Sequence, residues 1–343
     1  MNEDDVLALL EGVEDPALGD DIVSLGLVND LDVDGDTVTI SLALGAPYSP
    51  TENDIAARVR EVLQAEGLEP DLTAAIPDRA ETEVLPGVKN VVAVASGKGG
   101  VGKSTVAVNL AAGLADRGAR VGLFDADIYG PNVPRMVDAD DHPQATESET
   151  IVPPEKHGMK LMSMAFMVGE DDPVIWRGPM VHKVLTQLIE DVEWGHLDYL
   201  VVDLPPGTGD TQLTLLQTLP LTGSVVVTTP EDVAVDDARK GLRMFGRHDT
   251  TVLGVVENMS TFVCPDCGGT HDIFGAGGGQ DFADANDLPF LGSIPLDPSV
   301  RQGGDQGAPV VLDEDNQTGD SFREFAAETA DMLGFVQRRG VGE

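Results

Sequence analysis

The sequence predicts an α/β fold in which a doubly wound, mostly parallel sheet is preceded by a small α+β domain. Two patterns support this prediction. From residue 91 onwards, apolar strand-like runs alternate with stretches long enough for helices, as in parallel sheets covered by helices on both faces. Before residue 81, two short alternating strands and an amphipathic helix indicate a separate unit. We therefore predict domains at 1–80 and 91–343, joined by a linker at 81–90 that contains a Pro-Gly pair.

The first domain is predicted to begin with a short helix at 6–10. The segment 24–44 has alternating apolar residues on either side of an Asp-Gly turn at Asp34, which predicts a two-stranded hairpin. Residues 53–66 then predict an amphipathic helix with Gly67 as its C-terminal stop. The apolar face of that helix consists of Ile55, Val59, Val62 and Leu63.

The second domain opens with an apolar run, a glycine-rich turn and the start of a helix, all within 91–110. The helix is expected at 102–117 and ends before Gly118, after which the chain returns as a strand at 120–125. An acidic, polar insertion at 138–150 predicts a solvated loop. Further strands are expected at 199–204, 224–229, 251–257 and 290–294.

The glycine-rich turn fits the pattern G-x-x-x-x-G-K-[ST], with Gly97, Gly102, Lys103 and Ser104 in the fixed places. Glycines let the backbone bring its N–H groups close to a ligand, and with the positive end of the next helix these donors form an anion site. Lys103 is expected to reach the β- and γ-phosphates of a magnesium triphosphate and Ser104 to ligate the Mg²⁺. The alternative is a turn that binds nothing. The predicted nucleotide contacts here are Gly97, Lys98, Gly99, Gly100, Val101, Gly102, Lys103, Ser104 and Thr105.

Carboxylates end two of the predicted strands, at the edge where parallel sheets bind ligands. Asp125 and Asp127 are one residue apart there, and such a pair can hold the water shell of magnesium and orient an attacking water. The alternative role for either is to cap a helix or turn. Asp203 ends another apolar strand and is expected to hold Mg²⁺ through water. In the loop that follows, the Gly207 N–H is expected to contact the γ-phosphate, so that this loop changes conformation on hydrolysis.

The two cysteines of the chain, Cys264 and Cys267, form a single C-x-x-C. Two thiolates can share one metal centre but cannot close a four-coordinate site, so a second chain could complete it. In a symmetric dimer the four cysteines could hold a bridging [4Fe–4S] cluster. Three alternatives remain open: zinc held by the same thiolates or by the pair with His271, a redox disulfide, or a turn that is only structural.

Lys98 directly follows the first glycine, and the resulting G-K-G-G-V-G-K-S resembles the deviant P-loop ATPases. This group includes the nitrogenase iron protein, the septum-site and partition ATPases, and the Mrp/ApbC iron–sulfur carriers. The block at 176–214, with W-R-G-P-M and D-L-P-P-G-T-G-D, closely resembles the Mrp/ApbC branch in particular. The run C-x-x-C-G followed by H-x-I-F-G resembles the cluster motif of that branch.

The resemblance implies roles for individual residues. Lys98 would cross a dimer interface and stabilise the transferring phosphate of the partner's nucleotide; the alternative is an exposed lysine that supplies general positive potential. Asp127 would position the attacking water, and Asp125 would belong to the magnesium shell. Asn258 and the loop at 294–297, which includes Pro295, occupy positions that contact adenine in related proteins.

The function implied by the resemblance is a homodimeric ATPase with slow turnover. It would hold a [4Fe–4S] cluster at the subunit interface and transfer it to apo-proteins, in concert with assembly factors. One alternative is a positioning or partition ATPase that acts on membrane or nucleoid, but the tail has only Arg338 and Arg339 adjacent in place of a basic amphipathic helix. Another alternative is a zinc-stapled scaffold.

Residues 14–18 (EDPAL) and 21–28 (DIVSLGLV) resemble the PaaD/SufT-like domain of iron–sulfur assembly factors, and the similarity extends over most of the first domain. Many such domains carry a cysteine before a proline at the position where this chain has Ser49 and Pro50. A thiolate ligand is therefore absent there, and the resemblance implies a docking or regulatory module. The alternative is a domain without any role beyond stability.

The charge of the chain opposes several partners. The formal net charge is −39 and the pI is about 4.1, so nucleic acid and anionic lipid would be repelled. A composition with 60 acidic and 21 basic residues resembles proteins of halophiles that accumulate salt. The sequence shows no apolar run of membrane-spanning length and its N-terminus is acidic, so we expect a cytoplasmic protein.

Overall fold

The computed structural model describes residues 1–76, 84–128, 130–147, 150–167, 178–264 and 267–341, and of 178–182 the backbone alone. The chain divides into two compact units. The first comprises Met1–Glu81 with Ala330–Glu343, and the second comprises Thr82–Thr329. Parts of the predicted linker, acidic insertion, 176–214 block and C-x-x-C turn lie outside the described residues, namely 81–83, 148–149, 176–177 and 265–266.

The first unit confirms the predicted helices and hairpin and adds a third strand. Strand β2 pairs antiparallel with β1 and parallel with β3, so that β2 is central. The strand β3 was not predicted, because its sequence EPDLTA has too few apolar residues to give a strand pattern. The elements are α1 (Glu3–Leu10), β1 (Val28–Asp34), β2 (Thr37–Leu42), α2 (Pro50–Ala65) and β3 (Glu69–Ala74).

Helix α2 begins three residues earlier than predicted. The side chain of Ser49 accepts a hydrogen bond from the Glu52 N–H, and Pro50 occupies the first helical position, where its missing N–H costs nothing. Of the predicted apolar face, Ile55, Val59 and Leu63 are buried and join residues of α1 and β2 in the core of this unit, while Val62 is half-buried against that core. The hydrophobic pattern therefore predicted the buried face correctly, while the cap decided where the helix starts.

The second unit is built on a nine-stranded sheet within the described residues. Its strands are β4 (Val91–Ser96), β5 (Val121–Asp125), β8 (Glu155–Lys156), β9 (Met159–Ser163), β10 (Tyr199–Asp203), β11 (Gly223–Thr228), β12 (Val252–Val263), β13 (Thr270–His271) and β14 (Phe290–Leu296). A separate small hairpin, β6 (Gln144–Ala145) with β7 (Ile151–Val152), forms in the predicted acidic loop. The helices are α3 (Lys103–Asp116), α4 (Val133–Met136), α5 (Gly178–Glu190), α6 (Asp210–Thr218), α7 (Asp232–Arg247), α8 (Gly278–Asp284), α9 (Pro298–Gln306) and α10 (Gln317–Val341), with 3₁₀ turns at Met164–Met167 and Val310–Leu312.

The sheet has the strand order β13-β12-β11-β4-β10-β5-β9-β8, with β14 beside β12. Only β8 and β13 pair antiparallel to their neighbours, so the predicted mostly parallel α/β sheet is confirmed. The strand β4 is central, and alternate residues of it pack in one apolar cluster with residues of α5, α6, α7 and α8. Helix α3 packs against β4, β5 and β10. None of the helices in the described ranges combines the length and hydropathy needed to cross a membrane.

The last helix, α10, contributes its final residues to the first unit, although the sequence places 91–343 in one domain. Arg338 is fully buried there and donates to Asp15 at 2.7 Å and to Glu52 at 2.9 Å. The carboxylate of Asp331 accepts hydrogen bonds from the Ser49 hydroxyl and the Thr51 N–H. The first unit is thus completed by a segment about 250 residues away in the sequence, through charges that no local pattern reveals.

Candidate functional site

The glycine-rich turn joins β4 to α3 and uses its glycines in two ways. Gly100 and Gly102 have φ angles of +87° and +83°, in the left-handed region that side chains disfavour. Gly97 is required for a different reason, because a Cβ built on it would lie 2.1 Å from the carbonyl carbon of Asp237 in α7. A Cβ on Gly99 would meet no atom within 4 Å. The loop therefore depends on backbone conformation at two positions and on close packing at a third.

A cavity of about 510 Å³ opens in front of this turn, at the carboxyl edge of the sheet. The structure brings together most of the predicted site around it: its lining includes Lys98, Gly99, Gly100, Gly102, Lys103, Ser104, Thr105, Asp127, Asn258 and Pro295. The remaining predicted residues of this site lie outside the lining: Gly97, Val101, Asp125, Asp203 and Gly207. The cavity has the size of a small-molecule site, and the glycine-rich turn lines one end of it.

Lys103 and Asp203 form a buried ion pair beside the turn. The Nζ of Lys103 lies 2.5 Å from one carboxylate oxygen of Asp203 and 3.4 Å from the Ser104 hydroxyl. Complete burial raises the pKa of Asp203, and the nearby Lys103 ammonium opposes that effect. The second carboxylate oxygen of Asp203 is buried and has no hydrogen-bond partner among the described residues. An unsatisfied carboxylate oxygen next to a serine hydroxyl fits a hydrated Mg²⁺.

Asp125 lies beside Asp203 on the neighbouring strand, and its carboxylate is already engaged by the protein. It accepts hydrogen bonds from the Ser163 hydroxyl at 2.9 Å and from the backbone N–H groups of Val133 and Asp127 at 3.2 Å each. Burial, together with the charge of Asp203, raises the pKa of Asp125 to about 7. These bonds order the loop that carries Asp127 into the cavity.

Lys98 and Gly207 are both predicted to contact a phosphate, and both have other partners in this structure. The ammonium of Lys98 lies 3.3 Å from the carboxylate of Glu231, at the start of α7. The Gly207 N–H, expected to contact a γ-phosphate, donates to the Ser96 carbonyl at 3.0 Å, with φ of +89° at Gly207. The single N–H of Gly207 must leave the Ser96 carbonyl before it can donate to a phosphate, whereas the Lys98 ammonium has further N–H donors beside the one facing Glu231.

The outer wall of the cavity contains residues that the sequence analysis missed. Asn258 was predicted, and its amide donates to the Val101 carbonyl at 2.8 Å, so it contacts the glycine-rich turn directly. Pro206 belongs to the predicted loop at 205–210, and Leu296 and Asp297 belong to the predicted adenine loop at 294–297. The missed lining residues include Gly130, Asn132, Arg135, Met136, Met259, Val300, Arg301, Gly304 and Asp305. Arg135 and Arg301 carry positive charge in a chain that has only 21 basic residues, and that scarcity is the one sequence signal that could have singled them out.

The cysteines lie at the end of the β12–β13 hairpin, away from the cavity lining. Cys264 is half-buried, Cys267 is exposed, and the two are not joined in a disulfide. The flanking apolar side chains of Val263 and Ile273 are 50% and 55% exposed. A Cβ on Gly269 would lie 3.3 Å from the Cys267 Sγ and 3.5 Å from the His271 Nε2, so thiol and imidazole border the same space. Within the described residues, no three or more His, Cys, Asp or Glu side chains lie close enough together to hold a metal ion.

Comparison with protein families identifies both parts of the chain. Residues 87–330 match the family model of the NUBPL iron-transfer P-loop NTPases, and residues 3–76 match the model of an iron–sulfur cluster assembly protein domain. An iron–sulfur cluster carrier protein of Deinococcus radiodurans is 49% identical over 313 residues, which cover 90% of this chain and 89% of that protein. One from Synechocystis is 44% identical over 329 residues, which cover 92% of each.

Among solved structures, a nucleotide-binding protein of Archaeoglobus fulgidus in complex with ADP is similar. It is 34% identical with a TM-score of 0.60, and the match covers 68% of this chain and 92% of that one. The matched family model and the glycine-rich turn both indicate a P-loop NTPase, and the two relatives are named as iron–sulfur cluster carrier proteins. The chain belongs to the NUBPL iron-transfer P-loop NTPase family and carries an iron–sulfur cluster assembly domain at its N-terminal end.

Proposed function

We propose that this protein is an ATP-dependent iron–sulfur cluster carrier, which holds a [4Fe–4S] cluster between two copies of the chain and transfers it to apo-proteins. The relatives that match over nine-tenths of the chain are named as iron–sulfur cluster carriers, which supports the general role. The finer features of the proposal, namely cluster type, dimer and hydrolysis, rest on the geometry of the cysteine hairpin and of the cavity.

The observation that carries the proposal is the incomplete ligand set at the cysteine hairpin. Cys264 and Cys267 can supply two thiolates, and a [4Fe–4S] cluster takes four. A second copy related by a two-fold axis supplies the same pair, and the exposed Val263 and Ile273 offer apolar surface for that contact. The cluster is the cargo of the protein, so ligands shared between subunits also allow its release when the subunits move apart.

ATP binding is proposed for the cavity, with Mg²⁺ held by Ser104 and, through water, by Asp203. Bound Mg²⁺ would neutralise charge on the phosphate oxygens. Lys103 would exchange the Asp203 carboxylate for the β- and γ-phosphates, which leaves Asp203 available to the hydrated ion. Asn258 and Pro295, which line the same cavity, are the proposed adenine contacts.

Hydrolysis is proposed to depend on three further groups. Asp127, which reaches the cavity, would orient the attacking water, and Asp125 would hold the loop of Asp127 in place. Lys98 would leave Glu231 for the nucleotide of the partner subunit, where its charge stabilises the transferring phosphate. The Gly207 N–H would leave the Ser96 carbonyl for the γ-phosphate. Turnover would be slow, because a carboxylate and lysines place the water without a strong base.

The experiment that tests cluster binding is anaerobic reconstitution followed by counting of iron and sulfide per dimer. Wild-type protein should hold four of each per dimer, roughly, as expected for one [4Fe–4S] cluster. Cys264→Ala should lose the cluster and its visible charge-transfer absorbance while ATP binding is retained. Ser224→Ala, which changes a buried serine of β11 outside the hairpin, is the matched control. A Cys264→Ala protein that keeps its cluster, or zinc in place of iron in anaerobically purified protein, would refute the assignment.

The experiment that tests hydrolysis compares Lys103→Ala and Asp127→Ala with Cys264→Ala. The first two should lower ATP hydrolysis to the background, because each removes a group that faces the phosphates. Cys264→Ala should hydrolyse ATP at a measurable rate, because the hairpin lies outside the cavity lining. Hydrolysis at the wild-type rate by Asp127→Ala would assign the water-positioning role to another residue.

The alternative of a positioning ATPase gains no support from the tail. Arg338 is buried and paired with two carboxylates, so it does not contribute to a basic surface for lipid or nucleic acid. The first unit is proposed as a docking module for acceptor proteins or assembly factors. Ser49 stands where many related domains have cysteine, and its buried hydroxyl donates to Asp331. Because both cysteines of the chain are in the second unit, the first unit offers no thiolate for a cluster.

A further inference from the structure

The strand β12 connects the cavity directly to the cysteine hairpin. Its residue Asn258 is buried, lines the cavity and donates to the Val101 carbonyl of the glycine-rich turn. Cys264 lies six residues later, directly after the last residue of the strand, a span of at most roughly 20 Å in extended backbone. The buried part of β12 ends at Ser260, and Val263 is exposed. One continuous segment therefore contacts the predicted phosphate loop at one end and presents the thiols at the other.

The strand is irregular between these two ends. Asn258 pairs with Ile294 of β14 and Phe262 pairs with Leu296, so four steps along β12 correspond to two along β14. Within this bulge Met259 has a φ of +56°, an unfavourable conformation for a side chain of its size. The buried hydroxyl of Ser260 donates to the Ile294 carbonyl at 3.1 Å and ties the bulge to β14. Bulges of this kind redirect a strand and are frequent next to functional sites.

We propose that the bulge at residues 259–261 is a positioning element through which nucleotide bound in the cavity controls the exposure of Cys264 and Cys267. Nucleotide contacts with the glycine-rich turn and with Asn258 would change the strain at Met259, and the surplus residues of the bulge would let the strand beyond it shift. The hydrogen bond from Ser260 to the Ile294 carbonyl would hold the bulge in the conformation of this structure. This inference rests on the proposed function, because it assigns the coupling between the nucleotide and the cargo ligands.

The test measures the reactivity of the thiols in full-length protein without a cluster. Iodoacetamide alkylation of the two cysteines is followed by mass spectrometry, alone and with saturating MgADP or the magnesium complex of the β,γ-imido analogue of ATP. In the wild type we expect at least one of the nucleotides to change the alkylation rate by about fivefold or more, the lower end of measured couplings between sites. Ser260→Ala should reduce this response to less than about twofold, with nucleotide affinity unchanged.

Ser224→Ala is the matched control, because Ser224 is also buried and donates its hydroxyl to a backbone carbonyl, that of Thr251. It lies at the opposite end of the β11–β12 pair, so its removal should leave the alkylation response intact. If Ser260→Ala does not fold, Asn258→Ala is measured at saturating nucleotide and should lose the response as well. The proposal is overturned by wild-type rates that neither nucleotide alters, or by a full response in the folded Ser260→Ala or Asn258→Ala protein.

The outcome is independent of the cluster experiment. The alkylation assay uses thiols and nucleotide alone, so the coupling can be found even if the cysteines hold zinc. Conversely, the coupling can be absent while Cys264→Ala still abolishes the [4Fe–4S] cluster, and in that case only the present inference fails.

Discussion

At the scale of single residues, neighbouring glycines in the glycine-rich turn have different reasons to be glycine. Gly97 lies against the backbone of α7, where a Cβ would overlap the carbonyl carbon of Asp237 at 2.1 Å. Gly99 has open space around it. The sequence pattern treats Gly97 as fixed and Gly99 as variable, and the packing supplies the physical reason for that difference.

Gly97→Ala is expected to destabilise the folded protein by roughly 2 kcal/mol or more, because backbone atoms of α7 cannot move aside as a flexible side chain can. Gly99→Ala should change the free energy of unfolding by less than about 0.5 kcal/mol. Chemical denaturation of the nucleotide-free protein measures both. Equal effects of the two substitutions would show that the packing of Gly97 against α7 is not what restricts this position.

The buried carboxylate of Asp125 predicts a pH dependence of stability. Its pKa is raised from 3.8 to about 7, so the folded chain binds the proton more tightly than the unfolded chain does. The stabilising contribution of protonated Asp125 is complete below pH 3.8 and is lost as the pH rises to about 7. Asp125→Asn removes this titration, so the stability of the wild type relative to the variant should fall as the pH rises.

Denaturant unfolding of both proteins without nucleotide or magnesium measures this difference between pH 5 and pH 8, a range clear of the pI of about 4.1. The difference in unfolding free energy should shift in favour of Asp125→Asn up to pH 7 and then level off. A difference that stays constant over the whole range would mean that Asp125 is ionised throughout.

At the scale of elements, helix α10 is where the domain prediction and the structure differ most clearly. The sequence predicts one domain at 91–343, but the C-terminal part of α10 belongs to the first unit. Its Arg338 is held between Asp15 and Glu52, and Glu52 also accepts hydrogen bonds from the backbone N–H groups of Gly45 and Ala46. Burial raises the pKa of Glu52, while Arg338 opposes that effect. The helix therefore supplies the counter-charge for carboxylates that the first unit buries.

Arg338→Met is expected to destabilise the first unit by about 3–5 kcal/mol, because it leaves two buried carboxylates without their cation. Arg339→Met, which changes the exposed neighbour in the same helix, should cost less than about 0.5 kcal/mol. Hydrogen exchange of the full chain, read in α2 and β2, measures the local effect. Unchanged protection there in Arg338→Met would mean that the ion network contributes little.

At the scale of the whole molecule, the net charge of −39 dominates the electrostatics. Self-repulsion of this size opposes the compact state, and salt screens it over distances of about 10 Å at 0.1 M and 3 Å at 1 M. Four cations line the cavity, namely Lys98, Lys103, Arg135 and Arg301, and each lies within ion-pair distance of a carboxylate. Because an anionic nucleotide would be repelled by the chain as a whole, these four charges are the local groups that could offset that repulsion.

The melting temperature is expected to rise steeply between low and molar KCl, because screening relieves the repulsion in the folded chain. Sucrose at matched osmolality, which does not screen charge, should raise it less. The measurement is thermal unfolding of the nucleotide-free protein at pH 7. A melting temperature that is the same at low and molar KCl would show that charge self-repulsion does not limit the stability of this chain.

The sequence by itself determined the α/β class, the central strands and the glycine-rich turn, because each depends on residues that are adjacent or regularly spaced in the chain. Periodicity and glycine spacing act locally, so they are visible without a structure. The sequence likewise predicts that Lys103, Ser104 and Asp127 belong to one site, and all three line the cavity.

Only the tertiary structure decided which distant residues meet. Arg135 and Arg301 reach the cavity from separate helices, Arg338 completes the first unit, and the bulge in β12 arises from its pairing with β14. The strand β3 also depends on pairing, since its own sequence is too polar to predict it. These features come from long-range packing and burial of charge, whose energies depend on the neighbours that folding supplies and leave no periodic trace in the sequence.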